Sequence, residues 1–311
     1  MTSTAIGFLG PRGTFSEVAL RQMPVSRAAE LREFATVPDA LDAVRAGAID
    51  LALVPIENSS EGTVSVTIDE LATGAPLCIV DEVALAVRFA LMTRPGTTRD
   101  MVRRVATHPA AEAQTRGWVR QHIPAATVIP ASSTAAAAAG LVDDAPFDAA
   151  IAPAIAAEHY GLEVLADDIG DVDSASTRFV LVSRPVPPPP PTGSDKTTLV
   201  LFMREDQAGA LLEILTELAV RGVNLTRIES RPTKEALGRY FFVIDAEGHV
   251  MDARVGQAMT GLHRVCGSVR YLGSYPRHDG LEPQTNAWTE NAEFEAADKW
   301  LERVRTTGLA D

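Results

Sequence analysis

Five consecutive prolines at residues 187–191, inside the segment RPVPPPPPTGSDK (184–196), constrain this chain more than any other feature. Proline locks φ and has no N–H to donate, so neither a helix interior nor a central strand can run through them. Such a run favours polyproline II at about 3.1 Å per residue, a semi-rigid spacer of roughly 15 Å. Strong apolar strand patterns flank it directly, which favours a spacer over a ligand for a proline-binding module. A chain of 311 residues has room for two bodies at about 150 residues each. The expected division is a first domain over 1–184, a linker over 185–196, a second domain over 197–276 and a tail over 277–311.

Upstream of the prolines, short apolar runs alternate with helical patterns. Strands are expected at 5–9, 50–54, 105–107, 127–130, 149–152 and 178–183, with further strand material in 77–91. Helices are expected at 15–23, 39–46, 68–72, 109–121, 134–142 and 153–160. This alternation predicts an α/β architecture with largely parallel sheets, as one sheet or two lobes, and ligands at the carboxyl ends of strands. Downstream, strands at 198–203, 224–230, 239–245 and 269–275 and helices at 209–221 and 251–265 give the order β-α-β-β-α-β, a ferredoxin-like unit. Leu211, Ile214, Leu215 and Leu218 share one face of the first of these helices. The tail carries a charged amphipathic helix at 290–305, whose Phe294, Ala297 and Leu301 are expected to dock on a domain or a neighbour.

Charge narrows the partners. With 28 Lys and Arg against 41 Asp and Glu, the net charge is −13, which argues against nucleic acid or an anionic membrane surface. Cys78 and Cys266 lie far apart and neither belongs to a CxxC or Cys/His cluster. No zinc site and no disulfide framework is expected, and this usage fits a reducing cytoplasm. The opening MTSTAIGFLG lacks the basic and apolar regions of a signal peptide, and no apolar stretch is long enough to span a membrane. The expected location is cytoplasmic.

Four upstream segments share one design, a strand end, then small hydroxyl or amide residues, then a helix start. They are GPRGTFS (10–16), PIENSSEG (55–62), THP (107–109) and SST (132–134). A helix N-terminus presents unpaired N–H groups and about half a positive charge. Each segment alone reads as a helix cap. Converging on one cleft, they make a local anion site inside an acidic protein. There is no GxSxG, HExxH, phosphate loop ending in Gly-Lys-Ser/Thr, or GxGxxG after a strand. A serine hydrolase, a zinc hydrolase, a kinase and a dinucleotide enzyme are therefore disfavoured. The remaining expectation is a small polyanionic ligand handled with no metal and no cofactor.

The segments GPRGTFSEVAL (10–20), VPIENSSEGTV (54–64), THPAAEAQ (107–114) and STRFVLV (176–182) resemble the prephenate dehydratases. GALLEIL (209–215) and NLTRIESRP (224–232) resemble the ACT regulatory domain that follows them. The matches run in family order over about residues 5–275. The resemblance implies a catalytic domain like the two-lobed type II periplasmic-binding proteins, with substrate between the lobes. It also implies decarboxylating dehydration of prephenate to phenylpyruvate in phenylalanine biosynthesis. Many relatives carry a chorismate mutase domain ahead of this one; the first motif strand here begins at about Ala5, and none is expected.

By the same resemblance Thr177, Glu57 and Asn58 carry the chemistry. Thr177 is a positioned donor to the leaving hydroxyl, Asn58 is an amide donor, and Glu57 orients Asn58, carries a proton or is structural. Thr14, Phe15, Ser16, Ser59, Thr107, Gln114 and Arg178 hold substrate. Arg178 either clamps a carboxylate or pairs with Asp171 or Asp173, and His108 reads as structural. Relatives often have Asn where Ala175 stands and Gln where Ala110 stands, which bears on the fine geometry of the site. In the second domain Gly209, Ala210, Leu211, Asn224, Glu229, Ser230 and Arg231 are expected to bind phenylalanine as feedback inhibitor. Pairing of ACT units implies a homodimer or homotetramer. The competing readings are an arogenate dehydratase and a non-catalytic amino-acid sensor.

Overall fold

The computed structural model describes residues 4–143, 146–205, 207–234 and 240–308. The chain divides into two compact units, residues 1–70 with 83–184, and residues 71–82 with 185–311.

In the first unit the elements run β1 (Ala5–Leu9), α1 (Phe15–Gln22), β2 (Glu30–Phe34), α2 (Val37–Arg45), β3 (Leu51–Asn58), β4 (Gly62–Thr63) and α3 (Ser65–Thr73). They continue β5 (Cys78–Ala86), β6 (Ala90–Thr93), β7 (Arg104–Thr107), α4 (Pro109–His122), β8 (Thr127–Pro130), α5 (Thr134–Val142), β9 (Ala149–Ala152), α6 (Ile155–Tyr160), β10 (Glu163–Ala166) and β11 (Ser176–Ser183). The end of α3 and the first half of β5 fall in the second unit.

Two sheets form, so the unit has two lobes. The first sheet has the order β2-β1-β3-β11-β5, with β4 on β3; the second has the order β10-β6-β9-β7-β8. The expectation of largely parallel sheets is corrected, because both sheets are mixed. β1 pairs parallel with β2 and β3, but β11 returns antiparallel to β3. In the second sheet β7 is parallel to β8 and β9, while β6 is antiparallel to both β9 and β10. The chain leaves the first lobe after β5, builds the second sheet, and comes back as β11. The two crossings lie side by side, with Val87 N–H donating to Ala175 O at 2.8 Å. A returning strand must run against the one it left beside, which no local pattern records.

β2 and β10 are the strands that hydropathy does not announce. Each is an edge strand with no continuous buried face, so the two-residue alternation that marks a half-buried strand is missing. The interior strands behave as expected. β9 (AAIA) is wholly buried, β11 is nearly so, and β3 is buried at Ala52, Leu53, Val54 and Ile56.

Residues 184–194, including the prolines, form neither helix nor strand. The second unit then runs β12 (Asp195–Phe202), α7 (Ala210–Ala219), β13 (Leu225–Pro232), β14 (Tyr240–Glu247), α8 (Ala253–Val265), β15 (Ser268–Pro276) and α9 (Asn291–Thr307). Arg239, expected to open β14, lies outside the described residues. The four-stranded antiparallel sheet β13-β14-β12-β15 is the ferredoxin-like order read from the sequence. Ile214 and Leu218 of α7 and Val255, Ala258 and Leu262 of α8 close one core over Leu199, Leu201 and Ile244. The tail helix α9 lies along α8, tied by Asn291 Nδ2 to Asp252 Oδ1 at 3.2 Å and Gln257 Nε2 to Asp298 at 3.4 Å. Phe294 is half-buried, while Ala297 and Leu301 stay exposed.

Candidate active site

A cavity of about 340 Å³ opens in the first unit. Its wall brings together all four segments of shared design: Gly10 and Thr14–Ser16, Pro55, Asn58 and Glu61, His108, and Ser132–Thr134. Three helices begin there. Ser133 caps α5 by accepting from Ala136 N–H at 2.9 Å, and His108 caps α4 by accepting from Ala110 N–H at 3.2 Å. No side chain caps α1, because Thr14 Oγ1 donates to Leu9 O at 2.7 Å instead. An uncapped helix start turned to a cavity is a ready seat for a carboxylate. Among the described residues of the wall there is no lysine or arginine. Phe15, Val87, Phe89 and Phe179 add apolar surface for a ring, Phe15 meeting Phe89 edge-on at 5.3 Å.

Asn58 and Thr177 face each other across the β3–β11 pair, and Asn58 Nδ2 donates to Thr177 Oγ1 at 2.8 Å. The amide is oriented by its other end, since Asn58 Oδ1 accepts from Ser60 N–H at 2.8 Å and Glu61 N–H at 3.0 Å. Thr177 Oγ1 is therefore an acceptor from Asn58, which leaves its own O–H to donate elsewhere. Accepting the amide N–H draws electron density from Oγ1 and makes its O–H a somewhat better donor, but not an acid.

The register explains which residues reach this wall. Thr177 pairs with Asn58 and Arg178 with Glu57, but Phe179 pairs with Pro55. The bulge adds Ile56 to β3, so Pro55 and Asn58, three apart, share the cavity face with Thr177 and Phe179. Glu57 and Arg178 point to the other face, where Arg178 Nη1 lies 3.6 Å from Glu57 Oε2.

Of the residues expected in the site, the structure brings Thr177, Asn58, Thr14, Phe15, Ser16 and Gln114 to the wall. It does not bring Glu57, Ser59, Thr107 or Arg178. Ser59 stitches its loop to β11, with Ser176 N–H donating to its Oγ and its own N–H donating to Ser176 O, both at 2.9 Å. Thr107 is fully buried and donates to Ile151 O at 2.8 Å, holding β7 to β9. Arg178 meets Glu57; Asp171, offered as its partner, accepts instead from Gly117 and Trp118 N–H. Parity along β3 was the available signal, since Glu57 and Asn58 are neighbours on a strand and cannot share a face.

His108, read as structural, is on the wall. Its Nδ1 accepts, so the neutral ring carries its proton on Nε2. Glu61, not Glu57, is the carboxylate of the cavity wall, at its exposed rim. Gln114 donates Nε2–H to Ala110 O at 3.2 Å, and its Oε1 is buried without a partner. Ala110 lines the cavity, so its departure from the family pattern falls on the wall; Ala175 falls in the core beside Phe89.

The family described as prephenate dehydratase matches residues 6–187, and the ACT domain matches residues 197–263. The chain belongs to the prephenate dehydratase family. The prephenate dehydratase of Amycolatopsis methanolica is 46% identical over 301 residues, covering 96% of this chain and 97% of that one. The crystal structure of the prephenate dehydratase from Arthrobacter aurescens in complex with L-Phe is 51% identical, with a TM-score of 0.92 over 97% of this chain and 99% of that one. A chain described as a novel type of quorum-quenching acylase is 34% identical, with a TM-score of 0.79 over 88% of this chain and 97% of that one. The fold is thus that of the family, a two-lobed periplasmic-binding-like catalytic domain followed by an ACT domain.

In this ACT domain a second pocket, of about 460 Å³, opens at the start of α7. Gly209, Ala210, Leu211 and Ser230 line it, as the dehydratase resemblance implied, together with Met203, Leu215, Tyr240 and Phe242. Gly209 is the α7 N-cap in the left-handed region, φ 93°, and no side chain caps the helix. Asn224, Glu229 and Arg231 do not line this pocket.

Proposed function

We propose that the cavity of the first unit converts prephenate to phenylpyruvate. The observation that carries this reading is the Asn58–Thr177 hydrogen bond, whose direction leaves the Thr177 hydroxyl proton for a ligand. Prephenate offers the matching acceptor in its ring hydroxyl. In the reaction the ring C–O bond breaks with its electron pair going to oxygen, which takes up one proton from solvent and leaves as water. The bond from the ring to its carboxylate breaks in the opposite sense, its electron pair entering the ring to replace the pair lost with oxygen and the carboxylate leaving as CO2. Aromatisation drives both. The site's task is to hold the dianion and assist the departing oxygen. Thr177 donates toward that oxygen, the open start of α1 takes a carboxylate, and Phe15, Phe89 and Phe179 hold the ring. A positioned donor of this kind is worth roughly 10²–10³ in rate.

The reading is tested by adding prephenate and following phenylpyruvate absorbance in alkali; no product overturns it. Comparing kcat/KM for prephenate and arogenate separates the keto acid from the amino acid as preferred substrate. A chain that binds phenylalanine but turns over neither acid would instead be a sensor.

For the second unit the proposed ligand is L-phenylalanine, acting as feedback inhibitor. Its carboxylate would meet the N–H groups at the start of α7, and its ring would lie among Met203, Leu211, Leu215 and Phe242. β13 is an edge strand with Ile228 exposed, which supports pairing of ACT domains in a homodimer or homotetramer. Sedimentation checks that pairing. No helix among the described residues is long and apolar enough to cross a membrane. Cys78 and Cys266 are buried free thiols, which supports a cytoplasmic setting.

A further inference from the structure

We propose that Glu17 and His159 are positioning residues that hold the substrate-binding turn from the opposite lobe. The proposal rests on the reading of the cavity as the prephenate site. Glu17 sits in α1 of the first lobe with only 2% of its side chain exposed. Its Oε2 accepts from Gly13 N–H at 2.7 Å, and its Oε1 accepts from Arg21 Nη2 at 2.7 Å and Nε at 3.0 Å. His159 Nε2 lies 3.0 Å from Oε1 and 3.1 Å from Oε2. Against an ionised carboxylate, which only accepts, that nitrogen is the donor.

His159 belongs to α6, which follows β9 of the second lobe. The same helix makes two more contacts to the turn. Tyr160 OH donates to Arg12 O at 3.0 Å, and a Cβ on Gly13 would stand 3.0 Å from the Ala156 backbone. Gly13 is also in the left-handed region, φ 87°. Glycine there meets two demands, a backbone turn other residues avoid and a close approach of α6.

What this clamp positions is the wall at Thr14, Phe15 and Ser16. Usually a glutamate at the third helical position reaches back to the N-cap N–H. Glu17 reaches one residue further, to Gly13, and Thr14 turns its hydroxyl away to Leu9. The first N–H groups of α1 are thereby left for a ligand carboxylate. A bare glutamate this close would repel a dianion, and the Arg21 guanidinium at 2.7 Å offsets its charge. The clamp acts on binding, in the ground state and the transition state alike, so its loss should appear in KM more than in kcat.

The test is steady-state kinetics on prephenate for the full chain and three variants, with thermal midpoints beside them. His159→Ala should raise KM about tenfold or more with kcat changed less than about threefold. His159→Gln, whose amide still donates to Glu17, should restore most of the affinity. Thermal midpoints well above the assay temperature in both keep a change in KM from being read as loss of folded protein. Unchanged KM in His159→Ala, or no rescue by glutamine, overturns the role of the pair. If His159→Ala does not fold, Glu17→Gln reads the same clamp, with raised KM expected and unchanged KM overturning it. No turnover of prephenate by the unaltered chain would overturn the reading of the cavity and this proposal with it.

Discussion

At the scale of single residues, the site is decided by which atom of each pair donates. Asn58 is the clearest case, because two backbone N–H groups hold its carbonyl end and so aim its amide at Thr177. Thr177→Ala should lower kcat by roughly 10²–10³ while leaving the thermal midpoint near that of the parent. Unchanged kcat would remove Thr177 from the chemistry. Asn58→Asp is close in shape but replaces the donor with an acceptor. The Thr177 hydroxyl would then turn toward the new carboxylate, and kcat should fall by a similar factor of about 10². Steady-state kinetics of the two variants side by side checks whether direction, and not mere presence, of the hydrogen bond matters. Glu17 gives a second residue-scale expectation, in stability. Burial pushes its carboxyl up, but the Gly13 N–H, Arg21 and His159 outweigh burial and hold it below the usual carboxylate range. A lowered carboxylate stabilises the fold above its ordinary value of 4.5, and that stability is lost as pH falls through the lowered value. Tyr160, Arg12 and Glu33 are the other charged or titratable groups of this neighbourhood. Denaturation midpoints between about pH 3 and 6 should fall less steeply with acid in Glu17→Gln than in the parent.

Elements are where the reading from residues succeeds or fails by a physical rule. Helices announced themselves through apolar spacing and the glycine, hydroxyl or proline residues at their starts, and those at Phe15, Pro109, Thr134 and Ala210 fall within a residue of expectation. Strands did so through β-branched or alternating apolar runs, which β8 (TVIP) carries even as an edge strand and which the charged edge strand β2 (ELREF) lacks; β2 and β10 went unread. The same rule governs the site. Alternation along β3 separates Asn58 from Glu57, and the bulge at Ile56 then rejoins Asn58 with Pro55 on one face. A bulge is a property of two paired strands, and a single strand's sequence does not show it. A further bulge lies on β15, where Thr198 pairs with Gly273 and Leu199 with Tyr271. A Cβ on Gly273, at φ 143°, would stand 2.1 Å from the Ile79 carbonyl oxygen. A backbone oxygen cannot swing aside as a flexible side chain does. Gly273→Ala should therefore cost about 2 kcal/mol or more. Melting of the second unit should fall by roughly 4 °C for each kcal/mol lost.

At the scale of the whole molecule, feedback through the proposed effector pocket would require linkage between two ligands. If L-phenylalanine in the ACT domain weakens substrate binding, a substrate analogue must weaken L-phenylalanine binding by the same factor. Calorimetric titration of L-phenylalanine with and without a prephenate analogue should show about 5–150-fold weaker binding in its presence. Equal affinity would exclude inhibition through binding and leave an effect on kcat.

Local chemistry in the sequence determined a good deal by itself. Proline cannot enter a ladder, so the chain had to break at residues 187–191. The β-α-β-β-α-β order of apolar runs called for a ferredoxin-like second unit. Four strand-to-helix turns rich in hydroxyl and amide groups promised an anion site in a protein of net charge −13. These follow from properties of neighbours along the chain. Only the tertiary structure decided which of the motif residues face the cavity. Strand direction, register and bulges are set by pairing between residues more than a hundred apart, such as Asn58 and Thr177. The β3–β11 pairing turned Glu57 and Arg178 away, the β7–β9 pairing in the second sheet buried Thr107 against Ile151, and the assembled lobes brought His108 and Glu61 to the wall.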